Sequence, residues 1–482
     1  MRNVLNFLMI LALFAACTPT PKAVQERNML PPIYPDYCDI TIPENIAPLN
    51  FLLRANCEAM EVKLLYSSSV TPTGITEKPS ICINVSGNEA VFDIDDWKEL
   101  TAQASGKSIE VIVTALINGQ WIQYKPFHWQ VVKDKIDPYL TYRLIEPDYE
   151  VWNNVQIQQR CVENFETNAL GHYEQLENRC MNCHIYANQD PRLSMMYVRG
   201  KNGGAILNQN GRLSKLNIPG SVYFSFSTSG RYITYSTQKI IPAFHSLASK
   251  RLEVFDSQSN VFIADMEQRR IIVSPLLSDS LKFETFPTFS PDGKYIYYCV
   301  ADSVSLPKDI KQLQYALVRI PFDEQTGTIG LQADTLFSQR SVCHPRISPD
   351  GRYLLYTVAD YGTFPIWHPE ADLQMMDLQT RRIDTLSIVN SQKSDTYHSW
   401  SSNSRWFVFA SKRDDGLYGK PYFCYVDPLG KAHKPFCLPQ EYPTFYDNNL
   451  KSFNVPELGK GKVPFDVDDV AEAMKQAALN FQ

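Results

Sequence analysis

The sequence predicts a mainly β chain: a β-sandwich, a short helical connector, then a β-propeller of five or six blades. Three observations carry this. Four stretches in the C-terminal half repeat a strand, a tight turn and an alternating aromatic strand. Shorter runs in the N-terminal part alternate apolar and polar residues between turn signals. Aromatic residues make up 12% of the chain, with 31 Pro and 21 Gly, which suits pleated strands and tight turns better than helices. At 482 residues there is room for two or three domains with their own cores. A net charge of −6 argues against a nucleic-acid partner.

Residues 1–16 read as a signal peptide: Arg2 supplies the positive charge, and Val4 to Ala16 form an apolar run too short for a membrane span. The run ends Leu13-Phe14-Ala15-Ala16-Cys17, which resembles a bacterial lipoprotein lipobox, with Phe14 a departure from the usual residue there. That resemblance implies acylation of Cys17; the alternative is ordinary cleavage that leaves a plain thiol. Acyl chains would hold the protein on a membrane, because each buried methylene contributes about 0.8 kcal/mol. Residues 17–36 are Pro-rich without an apolar period and read as a lipidated tether. Residues 37–133 read as a β-sandwich of immunoglobulin-like character: Met60–Tyr66 and Ile109–Ala115 alternate, and Asn118-Gly119 is a hairpin signal. Nothing in this part resembles a catalytic set.

Residues 134–200 read as a helical connector, because Trp152, Val155, Val162 and Phe165 recur at roughly helical spacing. It delivers Cys180-Met181-Asn182-Cys183-His184, a C-x-x-C-H run. That run is the attachment sequence of c-type haem: both thiols form thioethers to the vinyl groups, and the histidine ligates the iron. A thiol–disulfide motif lacks its βαβ setting here. A zinc site lacks two further well-spaced ligands, Cys161 and His172 being poorly placed. The sixth iron ligand is open among Met195, Met196, His172 and His245, the alternative being a five-coordinate or water-ligated iron. Arg192, Arg199 and Lys201 are candidates for the haem propionates.

Residues 201–460 read as the propeller. Its repeats start at Ser225, Thr288, Arg346 and Ser399, and their turn positions Gly230, Gly293, Gly351 and Ser404 lie 63, 58 and 53 residues apart. The pattern of Thr288-Phe289-Ser290-Pro291-Asp292-Gly293-Lys294-Tyr295 and its copies resembles the TolB-like family of six-bladed propellers. Five units are countable. The hairpin Gly204 to Leu213 stands without inner strands, as expected where a ring is closed by strands from both chain ends, and Tyr442 to Val455 could complete it. Residues 461–482 read as a helical tail. His344 and His398 are one residue out of phase in their repeats, so they should face opposite sides rather than share a metal.

The chain order as a whole resembles TolB-like lipoproteins that carry a haem-attachment motif in anaerobic Gram-negative bacteria. The resemblance implies a lipid-anchored, exported monohaem cytochrome with covalent haem c and a redox partner, on the outer membrane and facing the periplasm. The alternative is a binding or scaffold propeller of the envelope, its partner another envelope protein and its haem structural or sensory. A hydrolase reading lacks a nucleophile.

Overall fold

The computed structural model describes residues 20–66, 80–147, 154–176, 180–200, 202–247 and 250–482. The signal peptide, Cys17, Trp152 and Lys201 lie outside them, as do the side chains of Cys183 and His245. Among the described residues no helix is long and apolar enough to cross a membrane.

The N-terminal domain is two sheets around an aromatic core. Ser108–Ile117 lies at the centre of the larger sheet, between Ala59–Tyr66 on one side and Gln120–Gln123 and Phe127–Val132 on the other. Ile40–Pro43 adds in parallel to Phe127–Val132, and Ile33–Tyr34, Phe51–Leu53 and Glu89–Ala90 form the smaller sheet. The helix Ile94–Gln103 starts where Asp93 accepts from the amides of Asp95 and Asp96. Its Trp97 packs edge-on against Trp129, ring centroids 5.5 Å apart, and both indole N–H groups reach buried carbonyls, of Ile46 and Tyr37.

The helical connector expected over 134–200 is instead made of strands. Gln156–Cys161 is a strand; Val155 just before it and its Ile157, Gln159 and Cys161 are buried at a period of two, with Arg160 buried as well. Gln159, the polar break in the helical stripe, is buried because its amide donates to the Gly461 carbonyl and accepts from Val463 N–H.

The propeller therefore begins at Tyr139 and has six blades. Blade 1 consists of Tyr139–Ile145, Gln156–Cys161 and Thr167–His172, closed by Ser452–Gly459 from the chain's other end as its innermost strand. Blade 2 is Met181–Ala187, Asp190–Val198, Gly204–Gln209 and Arg212–Asn217. The hairpin expected to be an orphan thus has inner strands, and the innermost one begins inside the C-x-x-C-H run, just after Cys180. Blades 3 to 6 have Ser221–Phe226, Lys282–Phe289, Ser341–Ile347 and Asp395–Trp400 as inner strands.

The repeated turns explain themselves locally. Ser290 Oγ donates to Asp292 and accepts from Tyr295 N–H, and Ser348 does the same with Asp350 and Tyr353. Ser404 takes the glycine's place in blade 6 at φ +60°.

The tail holds a shorter helix than expected, Val467–Lys475, opened by an Asp466/Asp469 capping box. Its Val470, Ala473 and Met474 fill the seam between blades 1 and 2. The N-terminal domain is welded to blade 6: Trp406 Nε1 donates to the Asp134 carbonyl, and the Asp137 carboxylate accepts from Ser402 N and Oγ, 2.7 Å each.

Candidate functional site

Every inner strand carries one extra residue against its neighbour, at Cys183, Tyr223, Phe286, His344, Tyr397 and Val455 for blades 2, 3, 4, 5, 6 and 1. Such a bulge re-aims a side chain. All but Cys183 have recorded φ values between 47° and 54°, a left-handed conformation that non-glycine residues hold only when packing demands it. The demand is visible. Ring centroids lie 4.3 Å apart for Tyr223 and Phe286, 4.1 Å for Phe286 and His344, and 4.8 Å for His344 and Tyr397. Tyr223 and His344 belong to blades that are not neighbours, yet their rings are 5.7 Å apart, so they meet across the axis. These rings plug the channel. Burial, with His398 and Arg346 nearby, keeps the His344 imidazole neutral, and neither ring nitrogen has a hydrogen-bond partner.

Past the plug, towards the inner strands' N-termini, the hairpin Tyr232–Leu247/Lys250–Asp265 reaches beyond blade 3 to blade 5. Leu252 and Val254 pack on Phe364, and Glu253 accepts from Tyr361 Oη at 2.8 Å. Asp256 on this hairpin accepts from Gln238 and Thr363, and burial pushes its carboxyl up to about 7.

On the other side of the plug the channel widens into a funnel of about 360 Å³. Two residues beyond each bulge, the inner strands present Glu457, Ile185, Ser225, Thr288, Arg346 and Ser399, from blades 1 to 6 in turn, and all six line the cavity. Backbone amides organise this ring. Ser399 Oγ accepts from Leu458 N–H and Ser225 Oγ from Phe289 N–H. Glu457 accepts from Tyr186 N–H at 2.9 Å. Burial pushes the Glu457 carboxyl up to about 8, against the pull of that amide and of the Arg346 guanidinium. His398, also on the cavity wall, has Nε2 3.0 Å from the Leu355 carbonyl. That contact assigns the proton to Nε2; Nδ1 is buried, and the backbone of His344 also lies against the imidazole.

The sequence-predicted haem residues fall around blade 2. Cys180 is buried in the seam with blade 1, and burial raises its thiol above the ordinary range. His184 is buried beside it, directly across the strand pair from Met196. Burial, with Arg143 nearby, lowers this imidazole to about 4, and its ring nitrogens lack a well-formed partner, the carbonyls of Thr141 and Val455 being turned towards it. Met195 points to the opposite seam, with Ile185. His172 is on blade 1's outermost strand, 3.1 Å from Gln156 Nε2, and Arg192 pairs with Asp190 at 2.6 Å. His344 and His398 do face different sides, the axis and a blade seam.

As folded, these residues do not fit covalent haem. Cys180 directly precedes the strand that holds Cys183, and extended backbone there spreads the two by about 10 Å at ~3.3 Å per residue, where attachment needs both sulfurs on one side of a turn. The space between His184, Thr141 and Met196 is about 20 Å³, room for about one water molecule. Among the described residues no three His, Cys, Asp or Glu side chains gather as a metal site.

The ring of six was missed in the sequence, although four of its members, Ser225, Thr288, Arg346 and Ser399, are the first residues of the aligned repeats. An arginine in a column of hydroxyls was the available signal.

No protein-family model matches the chain, and no curated protein matches it. Solved structures are similar at low identity. TolB from Acinetobacter baumannii is 13% identical, with 76% of this chain and 85% of that chain covered and a TM-score of 0.42. An oligogalacturonate lyase in complex with manganese is 11% identical, with 61% and 72% covered and a TM-score of 0.36. The tricorn protease is 14% identical, with 69% and 34% covered and a TM-score of 0.35. The six-bladed architecture rests on the strand pairings themselves.

Proposed function

We propose that the chain is a binding protein of the cell envelope, its propeller a scaffold around a one-ended funnel. The observation that carries this is the funnel: about 360 Å³, closed by the axial plug and lined by a polar ring that includes one cation and one acid. A cavity of that size with a few convergent polar groups is the usual form of a small-ligand site. The envelope placement rests on the signal-like N-terminus and the lipobox resemblance at Cys17, which would anchor the chain to the outer membrane's periplasmic face. The test is a thermal-shift panel of amino acids, dipeptides, sugars and metal ions, run on the chain and on Thr288→Trp, which fills the funnel. A ligand that stabilises the first and not the second supports the reading. A panel in which every stabilising compound acts equally on both counts against it.

A second reading, the exported monohaem cytochrome with one-electron transfer to a redox partner, is favoured by the buried His184 imidazole, whose ring nitrogens have no well-formed hydrogen bond. In it Cys180 and Cys183 carry haem c, His184 is the proximal ligand, and Met195, Met196 or His172 the sixth. It requires Cys180–His184 to leave the extended strand. A pyridine haemochrome spectrum of the full chain, exported with c-type maturation, decides it: a covalent haem band supports the cytochrome, and its absence removes it.

A further inference from the structure

We propose that the funnel takes a small dicarboxylate, one carboxylate on the Arg346 guanidinium and the other on the Lys460 ammonium at the mouth. This rests on the binding reading above and names the ligand's chemistry.

The ionisable side chains in the cavity wall are Arg346, Lys460, Glu457, His184, His398 and Tyr186. Burial keeps both imidazoles neutral and the Tyr186 phenol protonated. Glu457 is the one carboxyl among them, and burial pushes it up to about 8 although the Arg346 guanidinium pulls the other way. At neutral pH the wall therefore carries the positive charges of Arg346 and Lys460 with little negative charge to offset them. Arg346 acts as a cation on its other neighbours too, holding down the imidazoles of His344 and His398. The acids just behind the wall already have partners: Asp137 has Ser402, Asp292 has Ser290, and Asp190, which feels Lys460, has Arg192 at 2.6 Å.

Placement then decides the ligand's form. Arg346 is on blade 5, Lys460 directly follows blade 1's inner strand Ser452–Gly459, and blade 6 lies between them. A phosphate monoester carries both charges on one group, whereas a carboxylate at each end meets both cations. The side chains between the two cations offer protons. Ser399 Oγ of blade 6 accepts from Leu458 N–H, which leaves its hydroxyl proton to donate. Protonated Glu457 accepts from Tyr186 N–H on one oxygen and donates from the other. An anion enters a walled cavity at high cost unless its charges gain counter-charges and hydrogen bonds, and this row of groups supplies both. Size agrees: at ~30 Å³ per water, the cavity holds about a dozen waters, the bulk of a short dicarboxylate.

The experiment is titration calorimetry of the full chain at pH 7 with succinate, malate, tartrate and adipate, alongside their monomethyl esters and diamides, glycerol 3-phosphate and putrescine. At least one dicarboxylate is expected to bind, its monoester at least tenfold more weakly, and its diamide and the diamine not at all. In Arg346→Gln, and separately in Lys460→Gln, the dicarboxylate and its monoester should bind alike, because one of the two cations is gone. A monoester or diamide that binds the unmodified chain as tightly as its dicarboxylate overturns the proposal, as does glycerol 3-phosphate binding more tightly than every dicarboxylate. These ligand arms need no variant, so they stand even where Arg346→Gln fails to fold. If no dicarboxylate binds but a compound of the thermal-shift panel stabilises the chain and not Thr288→Trp, the dicarboxylate falls and the binding reading survives. If nothing is funnel-dependent, both fall.

Discussion

Glu457→Gln tests whether the funnel acid is held by its burial or by a counter-charge. Glu457 is 8% exposed, and burial pushes its carboxyl from the ordinary 4.5 up to about 8. The charged and titratable groups around the same cavity are Arg346, Lys460, His184, Tyr186 and His398. A raised acid binds its proton in the folded state over a range where the unfolded chain has lost it. Stability therefore falls as pH rises from about 4.5 to 8. At ~1.36 kcal/mol per unit, the cost is about 1 kcal/mol at pH 5 and about 4 kcal/mol at pH 8. Glutamine keeps the shape and the acceptor for Tyr186 N–H without the ionisation. Denaturant unfolding of both chains at pH 5 and pH 8 should thus show the variant's relative stability rising by about 3 kcal/mol across that interval. Asp256 titrates in the same window but is common to both chains, so it cancels in the difference. If the variant is less stable by the same amount at both pH values, Glu457 is ionised and paired in the folded protein, and the reasoning is wrong.

Three further outcomes follow from the architecture. His344→Phe replaces a buried imidazole without hydrogen bonds by a ring of similar shape, so stability at pH 7 should be unchanged or higher by about 1 kcal/mol. The lowered pKa of His344, beside His398 and Arg346, means its stability is lost as pH falls below 6.5; denaturant midpoints at pH 5 should widen the variant's advantage by up to about 2 kcal/mol. Truncation before Ser452 removes blade 1's inner strand and bares the edge of Tyr139–Ile145, and limited proteolysis should then cut within 139–172 first. Asp137→Ala deletes both charge-assisted bonds to Ser402 between the N-terminal domain and blade 6, and should cost about 2–3 kcal/mol in denaturant unfolding.

What the sequence made legible, and what it hid, divides along the range of the interactions. The Ser-Pro-Asp-Gly turns are local devices, with side chains bonding their own backbone within five residues, and they could be read directly. The alternation of the N-terminal strands was readable for the same reason: its period belongs to each strand alone. Blade 1 was not readable, because its inner strand lies some 300 residues from the outer ones and pairing across that distance leaves no local mark. Gln159 shows the cost: a buried glutamine satisfied by Gly461 and Val463 looks in the sequence like a solvated residue interrupting a helix.

The C-x-x-C-H run is the sharpest case, because two grammars overlap on the same five residues. Read as chemistry, Cys180, Cys183 and His184 are a haem attachment. Read by register, Met181 to Ala187 is the inner strand of blade 2, with Cys183 at the bulge where the next four blades place Tyr223, Phe286, His344 and Tyr397, and blade 1 Val455. His184 then takes the position that His398 takes in blade 6, one past the bulge, and that match is a reason for a buried histidine which needs no iron. The two readings make opposite demands on the backbone, a turn in one and an extended strand in the other. The haemochrome spectrum therefore decides the conformation of blade 2 as well as the cofactor.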